Sequence, residues 1–216
     1  MTRQIVILGG GGHARVLVST LRRLQAAGGD APFPTGYTAP AVDPDWPFPE
    51  IRHLGGDDAL AALDRTAVRL INGVGSNRDT SFRSRLFDQA KTLGFSFASV
   101  LDPSALVDGS VVLGEGVQVL ARAVLQFGTT IGDNVIVNTG AIVDHDCRIA
   151  RDCHIAPGAV LSGGVSVGAG SHVGTGAIVI QGVCIGRNVT VGAGAVVVDD
   201  LPDGVIACGV PARPRT

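Results

Sequence analysis

Three short stretches of this chain bring together side chains that can do chemistry. The first is "VDHD", where Asp144 and Asp146 flank His145, with Asn138 a few residues before it. A carboxylate that accepts one imidazole N–H fixes the tautomer and leaves a lone pair on the other nitrogen. That is the requirement for a general base near neutral pH. The second is a pair of histidines, His154 and His172, 18 residues apart. The third is "GGGGHA", Gly9 to Ala14, which follows the aliphatic run "QIVIL" and opens a helix-like stretch. Free amides at a helix N-terminus bind phosphate. The same glycines satisfy G-x-G-x-x-A, so a dinucleotide-binding loop is a rival reading. The acidic residue such a loop needs is not in its usual place, since Asp30 falls in an expected loop and Asp43 comes late. Histidine and aspartate are also metal ligands, but no third convergent ligand suggests itself within one chain, and no metal is expected.

The elements that must position these groups differ between the two halves of the chain. From Ala105 to Asp200 the sequence divides without a break into sixteen hexads, ALVDGS to AVVVDD. The third position of each is Val, Leu or Ile, and the first is Ala, Val, Thr, Cys or Ser. First and third positions share one face of a two-residue period, so each hexad predicts a short strand with a small and a large side chain facing in. Gly, Asn and Asp crowd the last three positions, where corners need backbone with φ > 0. Hexapeptide periods mark parallel β-helices. On this register Asn138, Asp144, His145 and Asp146 fall at corners or on the outside. His154 and His172 fall at second positions on an outer face, and an 18-residue coil would stack them about 4.8 Å apart, displayed as a column.

Before this region the grammar is that of a small parallel α/β unit. Strands are expected at Gln4 to Gly9, at "PTGYTAPA", at "AVRLINGVG" and at "FSFASVL". Helices are expected over His13 to Gln25, with Val16, Leu17, Thr20, Leu21 and Leu24 on one face, over Asp57 to Leu63, and over Arg83 to Leu93. "APAVDPDWPFPEI" reads as a loop. The expected division is 1–101 and 102–216. The chain of 216 residues carries a net charge of −2, which gives no electrostatic case for nucleic acid. No apolar run approaches the roughly 20 residues of a membrane span, and the N-terminus lacks a signal-peptide pattern. Cys147, Cys153, Cys184 and Cys208 have no CxxC spacing, and the first two fall on inward positions, as buried thiols would. A reducing, cytoplasmic setting is the expectation.

"NTGAIVDHDCRIARDCHIAPGAVLSGGVSVG" resembles the active-site segment of the sialic acid O-acetyltransferase and nucleotide-sugar N-acetyltransferase family of hexapeptide-repeat acyltransferases. "VILGGGGHARVL", "INGVGSNRD", "DPSA" and "GVPARP" extend the likeness over essentially the whole chain. The resemblance implies a small Rossmann-like domain followed by a left-handed parallel β-helix. It implies a homotrimer with active sites between subunits, acetyl-CoA as donor, and a UDP- or GDP-linked 4-amino-deoxysugar as acceptor for surface glycan assembly. Carried over, His145 matches the catalytic base, Asp144 or Asp146 its orienting carboxylate, Asn138 a nearby polar partner, and His154 the imidazole close to the thioester. Thr175 and Ala193 match main-chain contacts to the pantetheine arm, and Arg213 or Arg215 in the tail could meet CoA phosphates. Family members commonly have His-Pro where this chain has Asp102-Pro103, which is expected to be a structural position.

Read with the resemblance, Gly11, Gly12 and His13 form the expected pocket for the acceptor's diphosphate or sugar, with Asp43 and the Gly75-Ser76-Asn77 turn behind them. A histidine with pKa near 6.5 takes the proton of an acceptor ammonium as nitrogen attacks the thioester. Backbone N–H groups at glycine corners such as Gly163 could hold the oxyanion. O-acetylation of sialic acid or another sugar hydroxyl would use the same base. A non-catalytic scaffold and a γ-class carbonic anhydrase using His145, His154 and His172 are the other readings.

Overall fold

The computed structural model describes residues 4–29, 32–76 and 79–215. The first unit is a parallel sheet of β1 (Gln4–Leu8), β2 (Pro34–Thr38), β3 (Arg52–His53), β4 (Val68–Asn72) and β5 (Ser96–Phe97), in the order β3-β2-β1-β4-β5. Ile5 to Leu8 in the central strand are all buried, as expected of a strand covered on both faces. Helix α1 (Gly12–Ala26) buries Ala14, Leu17, Val18, Thr20 and Leu21, whereas Val16 is exposed. The covered stripe is therefore rotated from the expected one, with Val18 replacing Val16. A 3-10 turn spans Asp57–Ala62 and α2 spans Ser81–Thr92.

The chain leaves β1 for β2 on one side and returns to β4 on the other. At such a switch point the loops after the two strands open a crevice. Here those loops carry Gly9 to Gly11 and Gly73 to Ser76.

Two expectations need correction. β3 pairs with Gly36–Tyr37 just after the proline-rich loop and was not anticipated. "FSFASVL" is two strands in different units: β5 belongs to the first sheet, and Val100–Leu101 is the first rung of the β-helix, paired with Gln118–Val119. Each is only two residues long, so periodicity does not separate them.

The β-helix is built from two-residue strands at the second and third positions of each hexad. Strand partners are 18 residues apart, as in Leu106↔Val124↔Ile142↔Val160. Third-position side chains from Val119 to Val197 are buried, stacked with the small first-position residues in one continuous core. Polar members of that inner column are satisfied locally: Thr129 Oγ1 donates to Asp144 O at 2.8 Å and Ser171 Oγ to Gly186 O at 2.7 Å. The sixth position of every hexad from Gly116 to Gly194 is left-handed, with φ between 53° and 75°. Asp146 (φ 59°) and Asp152 (φ 62°) are among them, a conformation Asn and Asp tolerate through local hydrogen bonding. All four cysteines are free thiols, with Cys147 and Cys153 buried in the core.

The prism has three unlike faces. One, carrying Gln118, Ile136, His154 and His172 outward, is covered by the first unit, and Val100 and Leu120 share a buried cluster with Ile5, Ile7, Leu17 and Ile71. A second carries the uninterrupted aliphatic column Leu106, Val124, Ile142, Val160, Ile178 and Val196, of which Leu106 is 59% exposed. The third carries Thr130, Arg148, Ser166 and Cys184. Asp102 ties the units together. Its buried carboxylate accepts from Arg23 Nε at 2.9 Å and Nη2 at 2.5 Å, and from Ser104 Oγ at 2.6 Å. It serves structure, as its departure from the family pattern suggested.

Candidate active site

His145 stands at the corner between the aliphatic and polar faces, half exposed. Its Nδ1–H donates to Asp146 Oδ2 at 2.9 Å, while its backbone N–H donates to Asp144 Oδ1 at 2.7 Å. The two flanking carboxylates therefore divide the work: Asp146 orients the ring and Asp144 holds the corner. The Asp146 hydrogen bond raises the imidazole above its ordinary pKa, against a slight desolvation, and the Asp144 charge adds to it. Nε2 is left as the basic nitrogen. The ring lies over Gly163 of the next coil, where a Cβ would come within 2.5 Å of both Cε1 and Nε2. Gly163 is thus a glycine because His145 occupies the space of its side chain.

His154 is on the covered face, one corner away. It pairs with His172 on the next coil as expected, the rings meeting edge to face with centroids 4.9 Å apart, but both are buried beneath the first unit, at 6% and 8% exposure. The expected display of two imidazoles to solvent is corrected by that docking, which no repeat pattern reveals. Asn138, expected beside His145, lies in one chain on His154 instead, because it occupies the corner at the opposite edge of the aliphatic face.

The hydrogen bonds fix the His154 tautomer. Asn138 Oδ1 accepts the Thr139 N–H at 2.7 Å, so its Nδ2 faces His154 Nε2 at 3.0 Å and donates to it. The ring proton is then on Nδ1, which donates to Ser76 Oγ at 2.6 Å. Burial, with His172, His13 and Arg83 nearby, lowers the His154 pKa to about 3. This imidazole is a neutral fixture. Of two histidines with oppositely displaced pKa values, only His145 is equipped to take a proton.

Ser76 brings the first unit's switch-point loop onto His154. In the same crevice Gly11 and Gly12 are exposed, and a Cβ at either would meet nothing within 4 Å. Gly9 (φ 95°) and Gly10, whose Cβ would strike Tyr37 at 2.8 Å, are the glycines this fold requires. The other two leave open space at the start of α1, where Gly11 provides no side-chain cap. Gly75 packs on His13, with its would-be Cβ 3.2 Å from that residue's Cβ. Gln118 Nε2 donates to Asn72 O at 2.7 Å, so Gln118 Oε1 accepts from His13 Nε2–H at 2.7 Å. Burial and the Arg83 charge lower the His13 pKa to about 4. Asp43, expected behind these glycines, is engaged by Arg15 and accepts the Asp45 N–H at 2.9 Å, so its carboxylate is already taken up in an ion pair. Asn77 lies outside the described residues.

Thr175 and Ala193 are exposed and stack along the same corner as Asn138. Among the described residues, the N–H groups of Gly163, Thr175 and Ala193 donate to nothing within the chain. Arg213 is exposed on the terminal hairpin and donates to Asp199 Oδ2 at 2.9 Å. No group of three or more His, Cys, Asp or Glu placed to hold a metal ion occurs among the described residues. Sequence reasoning missed Gln118, Asn72 and Arg83, which link the units. A glutamine at a second hexad position is an ordinary outward residue in the repeat, so the sequence carried no signal for it.

A family model described as bacterial transferase hexapeptide (six repeats) matches residues 128–163. No curated protein matches the chain. The acetyltransferase domain of PglB from Neisseria gonorrhoeae FA1090, solved in complex with acetyl coenzyme A, is 33% identical, with a TM-score of 0.88 and coverage of 100% of both chains. PerB from Caulobacter crescentus, solved with CoA and GDP-perosamine, is 43% identical, with a TM-score of 0.86, covering 99% of this chain and 97% of that one. A perosamine N-acetyltransferase variant from Caulobacter crescentus, with one histidine replaced by asparagine, also binds CoA and GDP-perosamine. It is 41% identical with a TM-score of 0.88, again covering 99% and 97%.

Proposed function

The chain belongs to the hexapeptide-repeat family of nucleotide-sugar N-acetyltransferases, and from that membership we propose that it moves the acetyl group of acetyl-CoA directly onto the amino group of a nucleotide-linked 4-amino-deoxysugar, with His145 as general base. The observation that carries the reading is the His145 corner: a ring anchored through Nδ1 on Asp146, raised in pKa, with Nε2 free. The neutral acceptor amine attacks the thioester carbonyl and gives its proton to His145 Nε2. The tetrahedral oxyanion draws on an unused corner amide such as that of Gly163, and its collapse expels CoA as thiolate, which takes up the proton carried by the His145 imidazolium and so restores the base. Direct transfer needs no serine or cysteine nucleophile, so the rate rests on how well both substrates are held.

The acceptor reads best into the switch-point crevice, its diphosphate on the open amides at Gly11 and Gly12 and its sugar toward Ser76. PerB, with GDP-perosamine bound, supports a nucleotide-linked amino sugar as the class. Acetyl-CoA is the donor, and its pantetheine arm would take the free amides at Thr175 and Ala193.

A homotrimer completes the site. The aliphatic column is the one outward face both apolar and uncovered, and such a surface is normally buried against a partner. His145 and the Asn138–His154 pair flank this face on opposite edges. Packing it around a threefold axis would bring His145 of one subunit to His154 of the next. Among the described residues no helix is long and apolar enough to cross a membrane. The reading places the enzyme in the cytoplasm, where its substrates meet.

The deciding experiment follows thiol release from acetyl-CoA against UDP-, GDP- and dTDP-linked 4-amino sugars, with sialic acid included. Turnover with a nucleotide amino sugar, lost in His145→Ala, is the expected result. Release with sialic acid alone would move the reading to O-acetylation, and unchanged turnover in His145→Ala would remove the base.

A further inference from the structure

A buried arginine lies beneath the site and belongs to no step above. Arg83, in the first turn of α2, is 2% exposed. Its Nη1 donates to Asn72 O at 2.8 Å and Val74 O at 2.6 Å, and its Nε donates to Asn134 O at 3.3 Å. The first two carbonyls belong to the chain leaving β4, and the third belongs to a β-helix corner. Asn72 completes the junction: its Nδ2 donates to Arg83 O and to Asn134 Oδ1, each at 3.1 Å, and its Oδ1 accepts the Val74 N–H at 3.2 Å. Asn134 passes the connection on, donating to Asp152 Oδ1 at 2.7 Å.

Desolvating a guanidinium is costly, and its nearest counter-charge, Asp152, is reached only through Asn134. Desolvation brings its pKa down to about 9. Buried ionic groups of this kind add little net stability compared with apolar side chains of similar size, so the reason for keeping one lies elsewhere. What Arg83 fixes is the path of residues 72–74, and two residues later Ser76 Oγ receives the His154 Nδ1–H. Neutral imidazoles left to themselves favour the proton on Nε2. Here that nitrogen must stay bare to accept from Asn138.

We propose that Arg83 is a positioning residue for acetyl transfer: by clamping the 72–74 carbonyls to the Asn134 corner, it sets Ser76 against His154 and so holds the Nδ1–H tautomer that faces the donor site. The inference rests on the acetyltransferase reading for its kinetic consequence, while the tautomer can be read without turnover.

The test uses the whole chain in its native assembly, carrying Arg83→Met, which keeps the volume without the donors, or Arg83→Lys, which keeps the charge but cannot span three carbonyls. Nitrogen-15 spectra of His154 are recorded for each, together with kcat and KM. The expected result is a protonated Nδ1 in the wild type and a shift toward the Nε2–H form in both variants. With it, kcat should fall on the order of 10- to 100-fold while KM for acetyl-CoA changes little. An unchanged His154 spectrum in the variants overturns the proposal, whether or not turnover falls, because Arg83 would then act elsewhere. If the methionine variant does not fold, the lysine variant alone decides by the same criterion. A wild type that releases no thiol with any acceptor refutes the acetyltransferase reading and leaves the spectroscopic criterion in force.

Discussion

Replacing Gly163 by alanine should disable the enzyme without harming the fold. The new Cβ would sit 2.5 Å from His145 Cε1 and Nε2 and 3.1 Å from Cδ2, whereas ordinary contact begins at 3.4 Å, so the ring must retreat by about 0.9 Å. Gly163 is not among the positive-φ glycines, and alanine fits its backbone without strain. Loss of a glycine's freedom in the unfolded chain would even add about 0.4–1 kcal/mol of stability. The alanine also keeps the 163 N–H, so oxyanion binding is not removed. A misplacement of about 1 Å in a reacting group costs roughly 100-fold in rate. The thiol-release assay should therefore show kcat down by about two orders of magnitude, with the unfolding midpoint unchanged or higher. On a His145→Ala background the same substitution should cost nothing further, since the ring it displaces is gone. Wild-type kcat in Gly163→Ala would refute the assignment of His145 Nε2 as the base in this position. A full second loss in the double variant would show that the added methyl obstructs a substrate instead.

Three other outcomes are expected. Asp146→Asn removes the hydrogen bond that raises His145, and asparagine tolerates the left-handed corner, so a proton-NMR titration should show the His145 pKa falling and the acidic limb of kcat/KM moving to lower pH. His13 and His154 are held neutral in the fold but protonate near pH 6.5 when unfolded; the unfolded state then binds more protons, and stability should decline as pH falls from about 6.5 toward 4. Each group contributes a slope of up to about 1.4 kcal/mol per pH unit, measurable by denaturant titration at a pH series, and His154→Asn should flatten the slope. Ile142→Arg places a charge in the middle of the aliphatic column and should give monomers by light scattering, with turnover lost alongside assembly.

Much of this was legible in the residues. The hexad register located every corner, and it placed His145, Asp144, Asp146 and Asn138 outside the core because a six-residue period with two inward positions leaves no other address. The loops after β1 and β4 were readable as aliphatic runs ending in glycine. What stayed hidden was tertiary. A second-position residue points out of the prism whether solvent or another unit awaits it, so the burial of His154, His172 and Gln118 had no local signature. The division of labour between Asp144 and Asp146 was hidden too, since both flank His145 in sequence and only the left-handed turn at 146 swings that carboxylate to the ring. Arg83 looked like one more charge on an amphipathic helix.

The packing of Val100 and Leu120, outward on the β-helix, into the core of the first unit also bears on how the molecule can be taken apart. A fragment starting at residue 102 would bare a stripe of aliphatic side chains together with polar groups matched only to the missing half, so it should clump rather than stand alone. Heat or denaturant should melt both halves in one transition. Grafting a foreign acceptor unit onto this prism would succeed only if the graft supplied its own counterparts to Gln118, Asn134 and His154: the parts are adjacent in the gene but interlocked as objects.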